Sequence, residues 1–424
     1  MYNFLLVLLS TVLCALPSSA IEGLTRQSFS TKPFSTDGRW MTNADGVNLT
    51  YAGVNWPGHG ETMVPEGLQY LSVAEMVQKI KSTGMNAIRL TWAVQMIDDI
   101  LDKRSDGQLG TAFVAALGET NGTKVLNAVL DKNKAFTKET TRLEVFDAIA
   151  LECARQGIYV HLDNHVSKAG WCCKTDDGNA WFGDEFFGTK NWERALGFMA
   201  DHGKTWPSFV SMALRNELRP VSGSRDVPVN WDTWYGNMTA GAEAIHRANP
   251  DLLIFFSGLY YDTQLRPIFY DGGFRDIDFD PSKLAYKDKI VLEVHDYDLD
   301  ETNCTNKRTK LTRDSFAALG PISPKVKTVY PLVMSEWGFS QSPDQYAAPF
   351  AACLGQFLPE QRVGWMIWVL IGSYYIREGE QGKDEPWGLL DSTGTKWRCP
   401  ECITKGIMPM IQNTLGIEPP VANA

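Results

Sequence analysis

Val210-Ser-Met-Ala-Leu-Arg-Asn-Glu217 is an apolar, strand-like run that ends abruptly in Arg215, Asn216 and Glu217. A carboxylate placed where a buried strand reaches the surface is a poor choice for stability and a good one for chemistry. The design recurs later, where Pro331 to Met334 is apolar and Ser335, Glu336 and Trp337 follow at once. Two strand-end glutamates point to a carboxylate pair, and the segments around them decide which fold brings the pair together.

Working outward, residues 48 to 56 read as a first strand ending in Asn55-Trp56-Pro57-Gly58. Residues 71 to 83 then have helical spacing, with Gly84 as a stop. Residues 86 to 90 form a second strand that delivers Arg89. The segment 141 to 156 is a strongly amphipathic helix stopped by Gly157, and 158 to 162 is a third strand running into Asp163-Asn164-His165. Helices at 192 to 202 and 231 to 248 flank the fourth strand, 209 to 214. Strands five to eight fall at 252 to 257, 290 to 295, 331 to 334 and 364 to 368, with a helix at 346 to 358 and fainter ones after strands five and six. Eight short apolar strands alternating with helices require parallel pairing through right-handed crossovers, hence an α/β fold of the (β/α)8 TIM-barrel type. An open doubly wound sheet is the competitor. No G-x-G-x-x-G follows the first strand, and polar residues close nearly every strand, which favours the barrel. Residues 95 to 138 exceed a βα loop and read as an insertion over one face of the sheet.

The domain organisation expected is a signal peptide at 1–20, a single catalytic domain at 21–417 and a loose Pro- and Ala-rich tail at 418–424. The signal rests on the apolar run from Phe4 to Leu16 followed by Ser18-Ser19-Ala20. Sequons at Asn48, Asn121, Asn237 and Asn303 agree with a secreted, extracellular glycoprotein. Of eight cysteines, Cys14 leaves with the signal, so an odd number remains and at least one thiol is free or intermolecular. Cys399-Pro-Glu-Cys402 lacks a second pair at finger spacing and reads as a disulfide staple rather than half a zinc site. The net charge of −10 and the want of a basic stripe argue against nucleic acid, and no later stretch is a credible membrane span. A monomer is expected, without a cofactor. Aromatic residues make up 11% of the chain, many beside Gly, Asn, Asp and His, as suits surfaces that stack on sugar rings.

Strand ends supply Trp56, Arg89, His165, Asn216, Glu217, His295, Tyr297, Glu336 and Trp368, which a barrel would gather at one mouth. Arg89, Asp163-x-His165, Asn216-Glu217, His295-x-Tyr297, Glu336-Trp337-Gly338 and Gly364-Trp365-x-x-Trp368, in that order over nearly the whole mature chain, together resemble glycoside hydrolase family 5, the cellulase family, in a secreted, fungal-type member. The resemblance implies Glu217 as acid/base, Glu336 as nucleophile and Asn216 as holder of the sugar 2-hydroxyl. One departure is that Leu218, not proline, follows Glu217, which bears on subfamily and substrate.

The chemistry stands without the name. Retaining cleavage needs an acid to protonate the leaving oxygen and a carboxylate about 5 Å away to attack the anomeric carbon. Tyr297 and Arg89 are placed to keep Glu336 ionised, while a partly desolvated pocket would keep Glu217 protonated. The expected substrate is a β-glucan-type polysaccharide cut internally. An exo-acting β-glycosidase or diglycosidase is the alternative, with the insertion at 95 to 138 walling off a pocket. Trp92, Trp171, Trp181, Trp365, Tyr374 and Tyr375 are candidate stacking residues on the rim. Asp163 is expected between Arg89 and Arg215 as a buried ion cluster. A rival of another class is a metal-dependent hydrolase, since His161, Asp163 and His165 alternate along one strand face.

Overall fold

The structure is a computed structural model that describes residues 32–223, 229–270, 279–320 and 324–416. The expected signal peptide and tail lie outside these residues. Eight parallel strands close into a barrel: β1 (Ala52–Trp56), β2 (Ala87–Ala93), β3 (Tyr159–Val166), β4 (Phe209–Ala213), β5 (Leu253–Phe256), β6 (Ile290–Asp296), β7 (Leu332–Trp337) and β8 (Gly364–Ile367). All eight coincide with strands read from the sequence. The first differs in an informative way, because Asn48–Leu49 leaves the barrel and joins Ser35–Asp37 and Trp40–Thr42 in a small antiparallel sheet. Phe34, Met41, Leu49 and Tyr51 pack there against Tyr159 and Phe255, which closes the bottom of the barrel with apolar surface.

Helices cover the outside. After β1 comes α1 (Val73–Ser82), whose first turn is fixed by a capping box in which Ser72 and Glu75 each bond the other's backbone N–H. The stretch read as an insertion holds α2 (Val94–Lys103), α3 (Leu109–Leu117) and α4 (Glu119–Lys132). It is followed by α5 (Arg142–Gln156), which starts on a second capping box, Thr141 with Glu144, and stops at Gly157 in the left-handed region at φ 72°. Its buried face carries Phe146, Ile149 and Cys153. Then follow α6 (Thr189–His202), α7 (Trp231–Ala248), the one-turn α8 (Arg266–Phe269), α9 (Cys304–Asp314), α10 (Pro349–Glu360) and α11 (Met408–Leu415). The last was not anticipated. Cys304–Cys353 ties α9 to α10, Cys399–Cys402 forms the staple expected near the C-terminus, Cys172 and Cys173 are bonded to each other, and Cys153 is free and buried.

Strand alternation stacks polar side chains inside the barrel in layers. Lowest is Ser211, whose hydroxyl meets Tyr51 at 3.0 Å and His161 Nδ1 at 2.8 Å. Above it lie Arg89, Asp163 and Glu293, all fully buried, and above those His165, His295 and the two glutamates. The register of β7 shifts against β6 between Met334 and Glu336, just where Glu336 emerges. Gly338, next along, sits so close to β8 that a Cβ there would lie 2.5 Å from the Trp368 carbonyl oxygen. Only glycine lets that loop turn over the mouth.

Candidate active site

Glu336 leaves β7 into the barrel mouth with both carboxylate oxygens engaged. Oε1 accepts from Arg89 Nη1, and Oε2 accepts from the Tyr297 hydroxyl at 3.0 Å. Arg89 itself is held through both of its Nη atoms: Nη2 pairs with Asp163 Oδ1 at 2.8 Å and donates to Asn216 Oδ1 at 2.8 Å, while Nη1 also donates to Asn55 Oδ1 at 2.9 Å. Burial alone would lower the guanidinium's affinity for its proton, but Asp163, Glu336 and Glu293 outweigh that and raise it, so Arg89 is a fixed cation. Burial pushes the Glu336 carboxyl above its usual range, with His295 and Arg89 working in the opposite direction.

Glu217 follows β4 with φ +46°, a left-handed backbone that costs a residue other than glycine about 1–3 kcal/mol. Its peptide is held from both sides, since its N–H donates to Asp262 Oδ2 at 2.9 Å and its carbonyl accepts from Arg219 Nη1 at 2.8 Å. Burial pushes the Glu217 carboxyl up to about 7 against the pull of Arg219 and Arg89. Its Oε1 lies 3.1 Å from His295 Nδ1, and the imidazole is driven down to about 4 by burial, so it is neutral. One hydrogen-bond arrangement fits both ring nitrogens: with Ser335 Oγ donating to Glu293 Oε2 at 2.7 Å, it accepts from His295 Nε2–H at 3.1 Å, and Nδ1 accepts from a protonated Glu217. One oxygen of Glu217 and one of Glu336 fall within 4.8 Å of each other, and His295 Nδ1 lies 3.1 Å from Glu217 Oε1 and 3.8 Å from Glu336 Oε2.

His165 donates from Nδ1 to Asp163 Oδ2 at 2.6 Å and stacks on Trp368 with ring centroids 5.6 Å apart. Asp163 is thus bracketed by Arg89 and His165. The pairing with Arg215 expected from the sequence is not formed, because β4 ends at Ala213 and the chain beyond no longer alternates with the barrel. Arg215 instead bonds Asn164, Ser167 and the Asn179 carbonyl and lies 3.8 Å over the Phe187 ring. The rival metal site does not assemble either, since His161 turns to Ser211 below while Asp163 is spent on Arg89 and His165. Among the described residues, ligand-type atoms come together at Glu217, His295 and Glu336 and at His165, Cys172 and Cys173. In the first group both Glu336 oxygens are occupied and a fixed guanidinium stands alongside. In the second the sulfurs are bonded to each other and offer no thiolate.

These groups open into a cleft of about 720 Å³ lined by His165, Trp171, Asn216, Glu217, His295, Tyr297, Glu336 and Trp368, with Tyr261, Leu299 and Trp387 further out. The profile of the cellulase family (glycosyl hydrolase family 5) matches residues 43–373. The chain belongs to glycosyl hydrolase family 5. It is 32% identical over 413 residues to a glycosyl hydrolase 5 family protein of the conifer Chamaecyparis obtusa, covering 95% of this chain and 68% of that protein. It is 22% identical over 274 residues to an endoglucanase of Paenibacillus polymyxa, covering 62% of this chain and 60% of that one. Among solved structures, the catalytic domain of the major endoglucanase from Xanthomonas campestris superposes with a TM-score of 0.65 at 17% identity, covering 90% of this chain and 99% of that one. The endocellulase of Pyrococcus horikoshii gives 0.67 at 17%, covering 91% and 100%. These solved structures share the fold. The expectation of a fungal-type member has no counterpart in these relatives.

As a family 5 enzyme the protein is a retaining O-glycosyl hydrolase. Several side chains read as site residues lie elsewhere in it. Trp56 is fully buried and donates its indole N–H to the Glu66 carbonyl at 2.9 Å, outside the cleft, because it is Asn55 that points inward on β1. Trp92, Trp181 and Trp365 are core residues, the last bonded to Thr414 of α11. Tyr374 and Tyr375 are buried behind the rim, where they bond Glu385 and the Pro65 carbonyl. Of the six aromatic candidates, only Trp171 lines the cleft. None of the residues 95 to 138 lines it, so the insertion is not its wall. The sequence reading missed Asn55, Asp262, Glu293, Ser335 and Trp387. Asn55 was within reach, as the residue paired with Arg89 across β1 and β2.

Proposed function

We propose that the protein is a secreted endo-β-glucanase in which Glu336 is the nucleophile and Glu217 the acid/base. The observation that carries this reading is a pair of carboxyl groups within 4.8 Å in opposite surroundings. Arg89 and Tyr297 donate to Glu336 and favour its anion, whereas Glu217 faces the lone pair of a neutral histidine and keeps its proton. In the first step Glu336 attacks the anomeric carbon and the departing oxygen takes the Glu217 proton. In the second, Glu217 removes a proton from water, which attacks the same carbon and frees Glu336. Asn216 holds the 2-hydroxyl, and Trp368 and Trp171 offer apolar faces to the rings.

Internal cleavage is favoured by the size of the cleft, which falls in the ~300–1,000 Å³ range of sites for drug-sized ligands and has room for more than one pyranose ring. Secretion is supported by three disulfides and by the exposed sequon residues Asn48, Asn121 and Asn303. None of the described helices is long and apolar enough to cross a membrane. Product analysis on barley glucan, carboxymethylcellulose, laminarin, mannan and a flavonoid diglycoside tests the assignment. Oligosaccharides released from a β-glucan are expected, and cleavage of none of the β-glucans would overturn it.

A further inference from the structure

Cys172 and Cys173 are joined to each other and line the cleft beside Asn216 and His165. The other two disulfides connect α9 to α10 and staple the segment before α11, and neither touches the cleft. A bond between adjacent residues closes no length of chain, so the loop entropy by which a disulfide ordinarily stabilises a fold is absent here. The reason for this one lies in what its sulfurs face.

They face the side-chain amide of Asn216. Its Oδ1 is fixed by Arg89, which turns Nδ2 toward the cleft, where the acceptors in reach are Cys173 Sγ at 3.4 Å, Cys172 Sγ at 3.7 Å and His165 Nε2 at 3.5 Å. A buried amide needs partners even when no substrate is bound. Sulfur is a weak acceptor, so a sugar hydroxyl can displace it at little cost, which a carbonyl or carboxylate in the same place would resist. The loop that carries the pair is clamped: Trp171 lies under Arg377 at 3.4 Å and packs edge-on against Trp368 and Tyr374.

We propose that the Cys172–Cys173 disulfide is a positioning and specificity device, which aims the Asn216 amide at the 2-hydroxyl of the sugar being cleaved and walls that side of its subsite. This rests on the role of Asn216 proposed above. The test compares an aryl β-cellobioside with its counterpart lacking the 2-hydroxyl on the ring that is cleaved, using wild type, Asn216→Ala and the double variant Cys172→Ala/Cys173→Ala. The double variant is expected to lose roughly tenfold in kcat/KM on the hydroxylated substrate, equivalent to one well-aligned hydrogen bond, and little on the deoxy substrate. Asn216→Ala should show the same selectivity with a larger loss. Equal losses on both substrates in the double variant alone would overturn the proposal and leave the Asn216 role standing. Equal losses in Asn216→Ala would overturn that role itself.

Should the double variant fail to fold, wild type treated with tris(2-carboxyethyl)phosphine replaces it. The phosphine reduces the S–S bond to two thiols, with protons from water, and is itself oxidised to the phosphine oxide. Damage through the other disulfides lowers both substrates alike, whereas loss confined to the hydroxylated one supports the proposal and its absence overturns it.

Discussion

Asp262 accepts the backbone N–H of Glu217 at 2.9 Å, so one buried carboxyl group holds the peptide from which another projects. Removing that acceptor frees a backbone held at φ +46°. Asp262→Ala should therefore misplace the acid, with kcat/KM, which reports the glycosylation step, falling roughly tenfold or more on substrates whose leaving group needs a proton and much less on dinitrophenyl glycosides. Asp262→Asn keeps an acceptor and should stay close to wild type. Equal losses of Asp262→Ala on both kinds of leaving group would contradict this role.

The pH profile of kcat/KM should be bell-shaped. Glu217 must be protonated, and burial places its titration near 7, so activity falls as pH rises through that value. Glu336 must be ionised and is raised above the usual carboxyl range by burial, so activity falls on the acid side at a pH higher than an exposed glutamate would give. The two limbs belong to the coupled pair. A profile still flat well above neutrality would contradict the assignment of Glu217.

Azide separates the two carboxylates. Glu217→Ala on a good leaving group should accumulate glycosyl-enzyme, which azide then attacks without base assistance to give a β-glycosyl azide. Glu336→Ala should be nearly inert on every substrate, and azide attacking directly would give the α product. Swapped stereochemistry would reverse the roles.

Glu293 links pH to stability. Its carboxyl is pushed up to about 8 by burial, while Asp163, Arg89, Ser335 and Glu336 stand around it. Between about 4.5, where the unfolded chain releases this proton, and 8, the native state holds one proton more, so stability falls as pH rises, by at most about 1.4 kcal/mol per pH unit. In Glu293→Gln that slope should disappear, with the variant gaining on wild type from pH 5 to 8 in urea denaturation. Parallel curves would show that Glu293 ionises freely in the folded protein.

Asp163→Asn tests the ion cluster. It leaves Arg89 with less compensating charge in a fully buried site and puts an NH2, which cannot accept, in place of one of the two oxygens that serve Arg89 and His165, at a cost of about 3 to 5 kcal/mol. Thermal unfolding at the wild-type temperature would show that the cluster contributes nothing.

The barrel was legible because its strands are short apolar runs separated by well-capped helices, and the carboxylates because each glutamate interrupts such a run at its end. Parity was harder. Asn55 and Trp56 are neighbours, and which of them faces inward depends on where the strand enters the barrel, which happens at Ala52 after the chain has left the bottom sheet. Trp92 and Trp365 sit near strand ends yet face the helices, since a strand offers every second residue to the outside. Arg215 lies just past the point where alternation stops. Asp262 carries no local signal, and Glu293, although it interrupts the apolar run from Ile290 to Val294, acquires its neighbours from strands distant in sequence.

The unpaired Cys153 on the inner face of α5 has a practical consequence. Its thiol is enclosed by the core and held protonated by burial, so a water-borne alkylating reagent finds no nucleophile there while the barrel is closed. When α5 comes away from the strands, that same atom becomes the chain's newly reactive sulfur. Its rate of capture is a clock for the opening of the outer shell, readable by mass without attaching any dye.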